Sequence, residues 1–299
     1  MDRAKVLDQI LVKPGDKARL DRRPTDWRDE PELAELSKKE LKGRAQEIMA
    51  KSLEELQQAQ EALWADDRWS LLVVLQAMDA AGKDGAIKHV MSGVNPQGCS
   101  VHAFKAPSAE ELDHSFLWRC MKAAPARGQI TIFNRSHYEE VIVVRVNPGL
   151  LDRQQLPPGP RGAAFWAGRF EDINNFERHL SRTGTRILKF FLHLGRDEQK
   201  KRLLERLDDP AKNWKFDSGD LDARAKWDDY AAAYEEAISA TSTEWAPWHV
   251  VPADSKWVAR AILSATIAGA ISALDLKPPK ATEARARELA EARRRLESE

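Results

Sequence analysis

Cysteine is almost missing from this chain: Cys99 and Cys120 are the only two in 299 residues. That argues against a disulfide framework, and both thiols are expected to be ordinary buried ones. Long apolar runs are missing as well. The longest are strand-sized, short of the roughly 20 residues that cross a bilayer. The apolar segment 257–276 is interrupted by Arg260, Ser264, Thr266 and Ser272 and reads as a buried or half-buried helix. With no basic n-region and apolar h-region of a secretory signal, the chain is expected in the cytoplasm, without a membrane partner. Net charge is absent too, since 47 Lys and Arg balance 47 Asp and Glu. A neutral chain gives no global argument for nucleic-acid or membrane binding, so any polyanion must be held by local clusters. The seven histidines show no HExxH or similar spacing, which argues against a zinc site. Without a G-x-S-x-G elbow, Ser136 is no candidate for acyl transfer.

What is present suits a folded α/β protein. Hydrophobic residues make up 42% of the chain, enough for one large domain with appendages or two small ones. No solenoid repeat occurs. Residues 1–32, with "VKPGDKARLDRRPTDWRDEP", keep no period and are expected to be an arm lying over a domain and able to touch a ligand. From Leu33 to Leu63 apolar residues return at helical spacing, giving one long helix or two. "SLLVVLQA" is a continuous apolar run ended by a glycine-containing loop, the pattern of a strand buried on both faces, and a helix should start near Asp84.

Further strands are expected at "SVHAF" from Ser100, "QITIF" from Gln129, "RILKFFLHL" from Arg186 and "WHVVPA" from Trp248. Strands alternating with helices imply a mainly parallel sheet covered on both faces, with ligands beyond the strands' carboxyl ends. The α/β domain is placed at 33–276, with two polar insertions, about 150–185 and 208–222, read as lids. The charged tail 277–299 is expected to be a solvated helix or disordered.

The loop "MDAAGKDG" joins the apolar strand to the next helix and has the outline of a phosphate cradle. Backbone N–H groups of Ala80, Ala81 and Gly82 and the start of the helix would meet phosphate oxygens, Lys83 would add charge, and Gly85 would keep the turn open. Two positions depart from the usual pattern: Ala77 replaces the first glycine, and Asp84 replaces the hydroxyl. Asp79 and Asp84 could be a helix cap and a first-turn acid, worth about 1 kcal/mol. Beside a phosphate, however, a carboxylate about 5 Å away is repelled by roughly 3 kcal/mol at an effective dielectric of 20. Such a site works when a cation intervenes. Asp79 and Asp84, with Glu139 and Glu140, are therefore expected to hold Mg²⁺ bridged to phosphate.

A second cluster, "QITIFNRSHYEEV", follows the strand from Gln129 with Asn134, Arg135, Ser136, Tyr138 and Glu139 in close order. Arg135 and Glu139 could be a helix-surface pair worth about a few tenths of a kcal/mol, which leaves their place beyond a strand end unexplained. His137 is expected to face solvent, and Trp214 to serve packing.

Taken together, "MDAAGKDGAIKHV", "GVNPQGCSVHAFKAPSAEELDHSFLWR", "IFNRSHYEEV", "RFEDINNFERHL", "RLDDPAKNWKF" and "STEWAPWHVVPADSKW" resemble the second family of polyphosphate kinases. The resemblance runs from about residue 10 to 275, with the blocks in the family's order. Asn134 before Arg-Ser, and the closing Tyr-Glu, resemble the class that phosphorylates both nucleoside monophosphates and diphosphates; other classes usually have Asp there. The resemblance implies a three-layer α/β/α P-loop kinase fold with a helical lid. It implies Mg²⁺-dependent transfer of phosphoryl groups between inorganic polyphosphate and AMP, ADP or ATP, by a homo-oligomer, dimer or tetramer. Asp79 would orient the acceptor phosphate through Mg²⁺, Lys83 and Arg135 would hold the transferred group, and Asn134 and Glu139 would complete the site, with Glu140 a weaker member. Arg178, Lys212 and Lys215 would grip the polyphosphate. Two rivals stay open: an ATP-dependent P-loop nucleotide kinase and a non-catalytic polyanion scaffold.

Overall fold

The apolar run at 70–77 lies inside a six-stranded sheet in the computed structural model, which describes residues 3–27, 35–277, 279–280 and 282–299. Its strands are β1 (Leu11–Val12), β2 (Ser70–Ala77), β3 (Cys99–Ala103), β4 (Ile130–Asn134), β5 (Thr185–His193) and β6 (Trp248–Pro252). They lie side by side in the order β1-β6-β5-β2-β4-β3, all parallel except β1, which runs antiparallel to β6. The longer helices are α1 (Arg3–Ile10), α2 (Lys38–Asp66), α3 (Lys83–Val90), α4 (Ala163–Arg182), α5 (Arg196–Asp208), α6 (Trp227–Thr241), α7 (Lys256–Ser272) and α8 (Glu283–Glu297).

Every residue of β2 is buried, so alternate side chains feed two cores. Leu71, Val73 and Leu75 meet α2, α3 and α7 through Leu56, Leu63, Ala86, Ile267 and Ile271. On the opposite face Leu72 and Val74 meet α4 and α6 through Phe170, Ile173, Ala237 and Ile238. These layers give the α/β/α arrangement. The helical spacing before β2 resolves into one helix, α2, started by a capping box between Ser37 and Glu40. Leu33, with the boundary at 32/33, lies outside the described residues.

Three expectations change. The N-terminal arm is woven into the sheet: Leu11 pairs with His249 and Val12 with Trp248, and Ile10, Val12, Ala18 and Trp27 are buried. Two residues of strand are too few to show a period, which is why the segment read as irregular. Most of the insertion at about 150–185 is a layer helix, because α4 sends Phe170, Ile173 and Phe176 into the core. His137 is buried, with Nε2 3.3 Å from Glu177 Oε1. Cys120 is buried and Cys99 partly so. The tail forms α8, which has no buried residue. Among the described residues no helix is long and apolar enough to cross a membrane.

Burial holds the imidazoles of His193 and His249 down at about 4, from an ordinary 6.5. The unfolded chain binds those protons below about pH 6.5, whereas the folded chain binds them only near pH 4. Their contribution is therefore complete above that window and lost as pH falls through it. Melting temperature is expected to decline between about pH 6.5 and 4, and His249→Gln should flatten part of that decline. An unchanged slope in the variant would mean that His249 is not buried neutral.

Candidate active site

The loop after β2 cannot follow an ordinary strand-to-helix path, because Ala80 and Gly82 both take positive φ, 62° and 99°. Gly82 does so freely, but Ala80 is strained. Two side chains from α5 hold the loop in place. Gln199 Nε2 donates to the Asp79 carbonyl at 3.1 Å. Arg202 donates to the carbonyls of Ala80 and Ala81 at 3.2 and 3.0 Å, and to those of Ala253 and Asp254 at 2.7 and 2.8 Å. Buried Arg202 thus ties the loop to the end of β6. With its carbonyls turned toward Arg202 and the Ala81 N–H donating to the Met78 carbonyl at 3.4 Å, the loop leaves the N–H groups of Ala80 and Gly82 for an anion.

Around this loop the structure gathers Asp79, Lys83, Asp84, Asn134, Arg135 and Glu139. Lys83 Nζ donates to the Ala77 carbonyl at 2.9 Å. Arg135 Nη2 lies 3.3 Å from Asp79 Oδ1, and Asn134 Nδ2 donates to Asp84 Oδ1 at 2.7 Å. Arg135 also has a positive φ of 62°, while its N–H bonds to the Leu75 carbonyl at 3.1 Å. The second motif is therefore pinned to β2. Burial pushes the Glu139 carboxyl above its ordinary value, opposed by Arg135 and Lys83. Burial lowers Lys83, opposed by Asp79. Ala81, Gly82 and Gly85 belong to the same loop and the first turn of α3.

Other candidates are not brought there. Glu140 turns away to Arg169, 3.2 Å distant, and accepts two hydrogen bonds from Gln154 at 2.9 Å. Successive residues of the 3₁₀ turn His137–Glu140 point about 120° apart, so Glu139 faces Arg135 and Lys83 while Glu140, which lines a neighbouring cavity with it, is held by Arg169. Arg178 is exposed on the outer face of α4, 5.3 Å over the Trp245 ring; its neighbour Glu177 takes the buried face. Lys212 pairs with Asp209 at 2.7 Å, and Lys215 lies over the Trp214 ring, which is 78% exposed. That insertion instead reaches the site through Asp217 and Asp220, which line a cleft with Asp79, Arg135, Glu139, Tyr230 and Tyr234. Neither tyrosine was legible as a site residue: their spacing of four reads as helix packing. A neighbouring cavity is walled by Phe104, Phe116, Arg119, Arg135 and Glu139.

A model of the polyphosphate kinase 2 family matches residues 37–279. The chain belongs to this family. The ADP-polyphosphate phosphotransferase of Rhodopseudomonas palustris is 51% identical over 258 residues, 86% of this chain and 89% of that protein. The AMP/ADP-polyphosphate phosphotransferase of Meiothermus ruber is 46% identical over 239 residues, 80% of this chain and 85% of that protein. The crystal structure of polyphosphate kinase 2 from Arthrobacter aurescens TC1 superposes with a TM-score of 0.76 at 44% identity, covering 83% of this chain and 86% of that one. The fold is thus the P-loop kinase fold of polyphosphate kinase 2.

The carboxylates of this polyphosphate kinase 2 do not form a closed metal cage. Among the described residues no three His, Cys, Asp or Glu side chains converge on one point. The four carboxylates expected from the sequence therefore do not meet at one point. Mg²⁺ rarely uses such a cage; it takes one or two carboxylates and completes its octahedron with phosphate oxygens and water. Asp79 and Asp84, hard oxygen donors at either end of an anion cradle, fit that requirement.

Proposed function

We propose that this polyphosphate kinase 2 transfers a phosphoryl group from inorganic polyphosphate to nucleoside mono- and diphosphates, AMP to ADP to ATP, reversibly and with Mg²⁺. The observation that carries the reading is the Asp79–Arg135 pair, 3.3 Å apart at the mouth of the phosphate loop. It sets a carboxylate and a guanidinium where an acceptor phosphate and a transferred phosphoryl would meet. Phosphoryl transfer passes through a loose transition state, so catalysis consists mostly of positioning and of neutralising oxygens. A phosphate nucleophile needs no strong base.

Each residue then has a distinct task. The loop N–H groups and Lys83 hold the donor's terminal phosphate, and Arg135 moves with the transferred group between donor and acceptor. Asp79 and Asp84 would hold Mg²⁺, which supplies positive charge shared between phosphate oxygens. Asn134, by donating to Asp84, keeps that carboxylate turned to the loop. Phe104 and Phe116, with Arg119 and Arg169 over their rings at 5.2 and 4.3 Å, line the cavity that would take a nucleoside, and Arg119, 3.7 Å from Glu111, would lend charge to its phosphates. Asp217 and Asp220 of the second insertion cover the cleft. Assembly as a dimer or tetramer belongs to the same proposal and is checked by sedimentation.

The test is separation of nucleotides after incubating the protein with Mg²⁺, long-chain polyphosphate and either AMP or ADP, with ATP plus AMP as control. ADP and then ATP formed from AMP only with polyphosphate supports the reading. Reaction in the ATP control alone would make the chain a nucleotide kinase, and no reaction would favour the scaffold. Within the same assay, Arg178→Ala is expected to stay within about twofold of the parent, as a surface change. Arg202→Lys, which cannot span four carbonyls, should lower kcat/KM about tenfold or more. Equal effects of the two would mean that Arg202 does not set the loop.

A further inference from the structure

The second insertion returns to the core through a short helix, Gly219–Ala225, and two of its residues touch α5. Asp220 Oδ2 lies 2.9 Å from Arg206 Nη1 as an ion pair. Arg224 makes a different contact. Its Nη1 donates to the Arg196 carbonyl at 2.7 Å and to Gln199 Oε1 at 2.9 Å. Gln199 is only 2% exposed, and the other end of its amide, Nε2, donates to the Asp79 carbonyl at 3.1 Å. The insertion, α5 and the phosphate loop thus meet through one side-chain amide.

That amide works in one direction only. Its nitrogen donates and its oxygen accepts, so the Gln199 side chain could be turned two ways about its last bond. In one, nitrogen faces the Asp79 carbonyl and attracts it; in the other, two oxygens face each other and repel. Arg224 settles the choice, because a guanidinium can only donate and so keeps the amide oxygen on its own side. Without it, a buried oxygen would lose its donor, which is costly where little water can take the donor's place. Arg202, three residues further along α5, holds the carbonyls of Ala80 and Ala81. The carbonyl of Asp79 itself depends on Gln199.

We infer that Arg224 is a positioning residue for the reaction: through the Gln199 amide it sets the peptide of Asp79, so that the loop aspartate is aimed only when the insertion is seated on α5. The inference rests on the functional reading above, in which Asp79 would hold Mg²⁺ beside the phosphates, and adds what aims it. Covering the cleft and setting the loop then become one event. Asp217 and Asp220 bring the insertion over the cleft that Asp79 lines, and Arg224, on the same short helix as Asp220, passes that position to the loop. Gln199 lines the cleft and Arg224 does not. Arg224 therefore acts through Gln199, away from the reacting atoms.

The experiment is a double-mutant cycle on the full-length protein: parent, Arg224→Ala, Gln199→Ala and the double variant, with polyphosphate, ADP and Mg²⁺, well below the melting transition of each. Each single change is expected to lower kcat about tenfold, within the range for a small misplacement set from a distance. KM for both substrates should stay within about twofold. The double variant should be no slower than Gln199→Ala alone, because Arg224 then has nothing left to hold. Gln199→Glu, which turns a carboxylate oxygen to the Asp79 carbonyl, should lose more than Gln199→Ala. Arg224→Lys, which keeps a donor for Gln199, should recover most of the loss. Losses that multiply to about a hundredfold in the double variant would overturn the inference. So would a rise in KM for polyphosphate with kcat unchanged, which would make Arg224 a direct contact of the substrate. If the parent forms no nucleotide product from polyphosphate, it is the functional reading that fails. Hydrogen exchange of the loop amides in the metal-free proteins then decides the positioning role. Faster exchange in Arg224→Ala, with nothing added in the double variant over Gln199→Ala, supports it, and exchange at the parent's rate rejects it.

Discussion

Asp79→Asn is expected to lower turnover about 10² to 10³-fold, the range for losing one preorganised electrostatic group, while nucleotide affinity stays within a few-fold. The side chain has little freedom to be replaced in function by a neighbour. Its backbone carbonyl is fixed by Gln199, the next residue is held at positive φ, and its carboxylate already faces Arg135. Asparagine preserves the shape and an oxygen acceptor for the guanidinium, so the loop should keep its path. What disappears is the negative charge that would hold Mg²⁺ beside the phosphates. Steady-state turnover paired with calorimetric binding of ADP checks the prediction. Turnover near the parent's would leave Asp79 as a partner for Arg135 and nothing more.

Lys189→Met should produce the largest loss of stability, about 3–5 kcal/mol. Lys189 is completely buried in β5 and donates to Glu177 Oε2 at 2.6 Å, the Thr241 carbonyl at 2.6 Å and the Tyr138 hydroxyl at 2.8 Å. Glu177 in turn accepts from the Tyr138 hydroxyl at 2.8 Å and has His137 beside it. Burial raises the Glu177 carboxyl, and Lys189 with His137 more than offsets this, leaving it below its ordinary value. Removing the lysine leaves a buried carboxylate without its cation, with the Tyr138 hydroxyl and His137 beside it. Lys189→Met with Glu177→Gln removes both charges and should recover part of the loss. Thermal melts of the single and double variants measure this, and simple additivity would show that the two residues are not energetically coupled. Because His137 and Tyr138 sit between Arg135 and Glu139, the single variant should also lose activity before it unfolds.

Much of this was readable from the chain. Four of the five parallel strands, β2, β4, β5 and β6, were legible because each is a short, mostly buried apolar run bounded by polar or glycine-containing loops; the edge strand β3 is half-buried to exposed along its length. The phosphate loop was legible because a Gly-Lys step stood between such a strand and a helix. The direction of Glu140 was not legible, since it depends on a single 3₁₀ turn. Arg202 escaped notice because it reads as one more charge on a helix rich in them; its role appears only where its guanidinium meets four carbonyls from two distant segments. The direction of Arg178 was equally illegible: the structure sets it exposed on α4, over the Trp245 ring.

The sequence by itself determined the class of fold, the family and the two clusters that carry the chemistry, because local hydrophobic periodicity and short motifs are properties of neighbouring residues. Tertiary structure alone decided which charges converge. Asp79 meets Arg135 across 56 positions, and Arg202 reaches Ala80 across 122. Which of 94 charged side chains (47 + 47) share a site depends on strand order and helix rotation. A burial difference of one residue along a helix turns a side chain by about 100°, which separates a buried carboxylate such as Glu177 from the exposed guanidinium beside it.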